Sequence, residues 1–129
     1  MLEIGRISEL KRDDGEHPVP PYLRTPFHQI SEAFAQGDFD LSQHVIKGVG
    51  PIDPAVAQSI VANVSAYGDE LAPLDASAWD SAVYRWMDGW WQFLVDMTTA
   101  GEKVSDLTLH AKLHDNAPHR IEVQSVHVP

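Results

Sequence analysis

The sequence predicts one α+β domain, with two main helices packed on one face of a four-stranded antiparallel meander sheet. Two observations carry that prediction. The first half holds two apolar stripes at helical spacing, each opened by a proline. From Ser81 onward apolar residues alternate with polar ones, and Asp88-Gly89 marks a two-residue hairpin turn.

The elements follow in order. Residues 1–24 read as an N-terminal arm, because His17-Pro18-Val19-Pro20-Pro21 cannot be helix interior and favours an extended path. The arm is either flexible or docked through Ile4, Ile7 and Leu10. Residues 25–129 form the domain. Thr25-Pro26 opens the first helix, Phe27, Ile30 and Phe34 give its stripe, and Gly37-Asp38 ends it. Leu41 to Ile46 is expected to add a helical turn. Asp53-Pro54 opens the second helix, with Val56, Ile60, Val64 and Tyr67 inward and Gly68 as its cap. Residues 69–80 read as a loop. Strands are expected at Val83 to Met87, Trp90 to Met97, Ser105 to Leu113 and Arg120 to Val128. Thr98 to Val104 and His114 to His119 are read as the connections.

Short turns fix register. The Asp88-Gly89 turn places Trp86 opposite Trp91, Tyr84 opposite Phe93 and Arg85 opposite Gln92. Pairing about Gly101 places Phe93 opposite Leu109 and Val95 opposite Leu107. The last hairpin places Leu113 opposite Ile121 and Ala111 opposite Val123. One sheet face then carries Tyr84, Trp86, Trp91, Phe93, Val95, Leu107, Leu109, Leu113, Ile121 and Val123, and is the expected core. A bulge near Ser125 is expected to turn Val126 and Val128 inward. Across the other face run Arg85, Gln92, His110 and Gln124, with Lys112 opposite Glu122 and Trp90 alongside. Trp and Arg at such a place suit a binding surface or a subunit interface.

Composition narrows the function classes. The 129 residues carry 9 basic and 19 acidic side chains, a formal net charge of −10. That balance argues against nucleic acid and against anionic membrane surfaces. Cysteine is absent, which removes disulfides, thiol catalysis and Cys-ligated metal. A cytoplasmic protein is expected: no apolar run nears a membrane span, and Met1 to Arg6 does not read as a signal peptide. No cofactor is implied. His110 and His114 lie four apart on one strand, roughly 13 Å, too far to share an ion, so no metal site is expected. Asp96 and Asp106 fall opposite each other in this register. They splay into solvent, bond to loop amides and Thr98 or Thr99, raise the pKa of one carboxyl so that it serves as a proton donor or acceptor, or bridge a cation such as calcium. Residues 25–84 contain Glu32, Asp38, Asp40, Asp53, Asp69, Glu70, Asp75 and Asp80 against Lys47 alone, seven of the ten negative charges.

Two stretches, Trp91-Gln92-Phe93-Leu94-Val95-Asp96-Met97-Thr98 and Ser105-Asp106-Leu107-Thr108-Leu109, followed by Val126-His127-Val128-Pro129, resemble a family of short uncharacterised bacterial domains. The resemblance covers about residues 26–129. It implies no established activity, and it implies loop-organising roles for Asp96, Ser105 and Asp106. The layout is also similar to cystatin-like and nuclear-transport-factor-like rolls, an analogy of fold alone. Two functional readings follow. The first is a non-enzymatic protein–protein interaction module, a homodimer or a binder of another protein. One version is an immunity-type acidic face for a basic partner. The second is a small-molecule binder or enzyme of the roll type. It uses Arg85 for an anionic group, His110 as acid/base, Gln92 and Gln124 as polar partners, and Trp90 as an apolar wall.

Overall fold

The computed structural model describes residues 4–129, so the first three residues of the arm lie outside it. Two helices and two antiparallel sheets form an α+β fold. The helices are α1 (Arg24–Ala35) and α2 (Pro54–Tyr67). The strands are β1 (His17–Pro18), β2 (Leu71–Ala72), β3 (Val83–Trp86), β4 (Trp90–Asp96), β5 (Thr98–Thr99), β6 (Thr108–His114) and β7 (Ile121–His127). The main sheet has five strands, ordered β1-β3-β4-β6-β7, rather than four. The fifth comes from the arm, where His17 pairs with Tyr84 and Pro18 with Val83. The segments read as loops at 69–80 and 98–104 supply β2 and β5, a second small sheet.

Local chemistry accounts for the helices. Asp53 caps α2, its carboxylate accepting from the Ala55 amide at 2.8 Å, and Pro54 sits where no amide is needed. Gly68 closes the helix at φ 84°, a left-handed conformation that a side chain would strain. The start of α1 differs from expectation. Pro21–Leu23 form a short helical turn that runs directly into Arg24, so Thr25 and Pro26 lie inside the first turn and Thr25 is not the cap. Phe27, Ile30 and Phe34 are buried as the spacing requires. On α2 only Ala57 and Ile60 are buried, while Val56, Val64 and Tyr67 are half-covered. Leu41 to Ile46 forms no helical turn. Leu41 takes φ 59°, and the segment is a loop held from within by Asp38.

The expected register of β3 and β4 is present: Tyr84 faces Phe93, Arg85 faces Gln92 and Trp86 faces Trp91. The next pairing differs. Phe93 faces Ala111, Val95 faces Leu109 and Asp96 faces Thr108, so the ladder is displaced by two residues. Met97 and Ser105 close the ladder, and Thr98 and Thr99 leave it for β2. A displacement of two keeps every side chain on its expected face, so the core survives the change. On the last hairpin Leu113 faces Ile121, Lys112 faces Glu122 and Ala111 faces Val123. The bulge lies between His110 and Ala111, opposite Val123 to Ser125, with Gln124 the extra residue. It turns Val126 into the core, where it is buried, but not Val128, which is exposed.

Both helices cover the inner sheet face. Phe27 of α1 lies 5.5 Å from Phe93 between ring centres, and α2 packs along β7. The arm covers the sheet's near edge. Leu10 and Val19 are buried, the Trp91 indole donates to the Lys11 carbonyl at 2.9 Å, and Arg12 stacks over Trp91 and bonds Asp115. At the far edge Ile121 exchanges backbone bonds with Gly48 and Gly50, and Asn63 donates to the Val126 carbonyl at 3.0 Å. These contacts occupy edge groups that would otherwise invite another strand.

Candidate functional site

The outer face of the main sheet carries most of the residues singled out from sequence, but not as one row. Arg85 and Gln92 are neighbours, the Arg85 Nε donating to Gln92 Oε1 at 2.8 Å. The Arg85 guanidinium also lies 3.9 Å from Glu16 of the arm. His110 stands opposite Leu94, not Gln92, because of the register of β4 with β6. Its ring stacks on His127 at 4.4 Å, and Ser125 shares a hydrogen bond with the His127 ring at 2.9 Å. His110 Nε2 is buried without a partner. Burial first, then the neighbouring His127 and Arg85, pushes the His110 imidazole below its usual range. Trp90 faces His114 and lies under the Lys112 ammonium, 4.4 Å from the ring centre. Gln124 is exposed at the bulge.

This arrangement has limited chemical scope. An anion could engage Arg85 only in competition with Gln92 and Glu16. His110 is held towards its neutral form, and among the described residues no carboxylate bonds its ring. None of Arg85, Trp90, Gln92, His110 or Gln124 lines four surface hollows of 640, 490, 400 and 280 Å³. Among the described residues no three of His, Asp or Glu are grouped to hold a metal ion. Asp96 and Asp106 are not opposite each other. Asp96 accepts from the Ser81 and Thr108 hydroxyls at 3.0 and 2.7 Å, and Asp106 precedes the strand, its amide 3.3 Å from the Tyr67 hydroxyl. Ser105 ties the loop, its hydroxyl donating to the Met97 carbonyl and accepting from the Leu107 amide.

The helical side holds a feature that the sequence reading missed. A hollow of about 640 Å³ lies between the end of α1 and the C-terminal half of α2, floored by Phe34, Val64 and Leu71. A second of about 400 Å³ adjoins it at Pro54 and Ala57. Both are lined by Gly37, Phe39 and Val61, so they form one groove along α2. Val61 is 46% exposed within it, and Phe34 and Phe39 stack at 5.3 Å. Acids stand at its two ends. Asp40 lines the end near Pro54, and Asp69 and Glu70 line the end near Gly68. The Thr99 hydroxyl, with the Gly101 and Glu70 amides, holds the Asp69 carboxyl below the usual range, so it is charged at neutral pH. The legible signal was α2 itself: Pro54 to Tyr67 contains no charged residue.

Not every acid of this half is available. Asp38 is buried and committed. It accepts from the Ser42 and Gln43 amides at 3.0 and 2.9 Å, and from His44 at 2.6 Å. Burial pushes its carboxyl up, but the His44 and Gln43 bonds outweigh that and leave it below the usual range. Glu32, Asp40, Asp53, Glu70 and Asp80 are exposed.

Residues 31–129 match the profile of a family described as a domain of unknown function, DUF7668. No curated protein and no solved structure matches the chain. Among the described residues no helix is long and apolar enough to cross a membrane.

Proposed function

The chain belongs to the DUF7668 family, whose function is unknown, and from that premise we propose that it is a non-enzymatic protein–protein interaction module. Its acidic helical side receives a positively charged protein. One observation carries this reading: the uncharged, partly exposed helix α2 lies among exposed acids, in a segment with eight acids and one base. Charge of one sign on one side steers an oppositely charged partner and raises its association rate. A role of the immunity type, masking a basic partner, is one version of the same reading.

The test is retention of cationic proteins from an extract of the source cells by the immobilised chain. Retention is expected at about 0.1 M salt and loss at about 1 M, as the screening length falls from ~10 to ~3 Å. The triple variant Glu32→Lys, Asp40→Lys, Glu70→Lys is expected to retain none of them. An identical set on wild type and variant overturns the proposal.

A second reading is favoured by the outer sheet face, which presents Trp90, Leu94 and Arg85 half-buried and Met87 exposed. There the chain pairs with a second copy. Light scattering tests it: a dimer mass that falls to the monomer in Trp90→Glu supports that reading, and a monomeric wild type removes it.

A further inference from the structure

We propose that the groove along α2 is the docking site for an amphipathic helix of the partner, apolar on one face and basic at both ends. This rests on the proposed interaction function and names the occupant of that side of the molecule. Three features select a helix. The groove follows α2, whose 14 residues span about 21 Å at 1.5 Å per residue. Its floor is apolar, from Phe34, Phe39, Val61, Val64 and Leu71, which suits the spaced anchors of a helix laid in a groove. Its acids are divided between the ends, Asp40 at one and Asp69 and Glu70 at the other. Basic residues about four turns apart on a docked helix would meet both.

Charge also decides among occupants. A second copy carries the same −10 and would bring one acidic rim against another. An anionic membrane or a nucleic acid would be repelled for the same reason. A cationic helix is attracted to the rim, and its apolar face removes Val61 and Phe39 from water.

The experiment uses fluorescence anisotropy with a labelled Leu/Lys peptide of about 18 residues, long enough to be helical, patterned with one apolar face. A scrambled peptide of the same composition is the control. The deciding variant is Val61→Glu, at an exposed helical position where Glu is well tolerated. It adds one acid to the groove while placing a charge against the peptide's apolar face. Docking in the groove predicts about tenfold weaker binding or worse. A purely electrostatic surface predicts tighter binding. The account also expects the scrambled peptide to bind more weakly than the patterned one. Circular dichroism should show the patterned peptide gaining helix on binding.

Unchanged or tighter binding by Val61→Glu, or equal binding of the scrambled peptide, overturns the groove. If that binding is still salt-dependent and lost in the Glu32/Asp40/Glu70 triple variant, the acidic interaction surface stands without it. Absence of binding by either peptide at about 0.1 M salt overturns both.

Discussion

Asp38 shows how one residue can be misread by charge counting alone. In the sequence it is one of eight acids on the helical half. In the structure its carboxylate is the internal cap of the loop after α1, shared between two amides and His44. Asp38→Asn is expected to cost about 1–3 kcal/mol at neutral pH, through buried amides left without a charged acceptor. The pH dependence has a definite sign. The folded carboxyl titrates below its unfolded range, so its contribution is complete above that range. It is lost as pH falls below about 3.9, where the unfolded chain takes the proton first. Thermal melts from pH 7 to 3 should show a shallower acid decline in Asp38→Asn than in wild type. Parallel declines would remove this role. Asp96 makes the same point. Its partners are the Ser81 and Thr108 hydroxyls, not Asp106, so the two carboxylates do not face each other.

At the scale of elements, legibility depended on the length of the connection. The Asp88-Gly89 turn leaves almost no freedom, and Arg85, Gln92, Tyr84 and Phe93 stand where that turn requires. The longer connection between β4 and β6 sends Thr98 and Thr99 to pair with Leu71 and Ala72. That contact is distant in sequence and has no local signature; pairing about Gly101 sets His110 opposite Gln92, whereas it faces Leu94. The candidate row breaks there, and again at the bulge, where His110 faces Ser125 and Gln124 is left unpaired. The groove was illegible for a related one: it depends on where Phe39 and α1 come to rest against α2, although the charge-free stretch from Pro54 to Tyr67 was there to be read.

The arm is the element whose energetic role is easiest to measure. Residues 4–23 precede the family match at 31–129, yet Leu10 and Val19 are buried and Trp91 bonds the Lys11 carbonyl. Removing residues 1–20 is expected to destabilise the chain by about 5–9 kcal/mol, the loss of the three buried aliphatic side chains Ile4, Leu10 and Val19. Urea unfolding followed by Trp emission reads this directly. An unchanged midpoint would mean that the arm adds no stability.

On the scale of the whole molecule, the two sheet faces and the helical side have different characters. The inner face is consumed by the core. The outer face pairs Arg85 with Gln92 and sets Lys112 over Trp90, but it leaves the His110 Nε2 unpartnered beneath its stack on His127. The helical side presents an apolar groove with Asp40 at one end and Asp69 and Glu70 at the other. An apolar groove with acids at its ends suits the apolar side chains of a cationic partner, whereas polar groups paired mostly with one another leave less for a ligand. This contrast, and the overall charge of −10, favour a cationic protein on the helical side over a ligand on the sheet.

The most direct measurement of that claim is a map of backbone amide shifts on the isotope-labelled chain as the amphipathic Leu/Lys peptide is added. The account predicts shifts confined to the end of α1, to Phe39 and Asp40, and to α2 through Glu70. Shifts concentrated on Arg85, Trp90, Leu94 and His110 would place binding on the outer sheet face and contradict it.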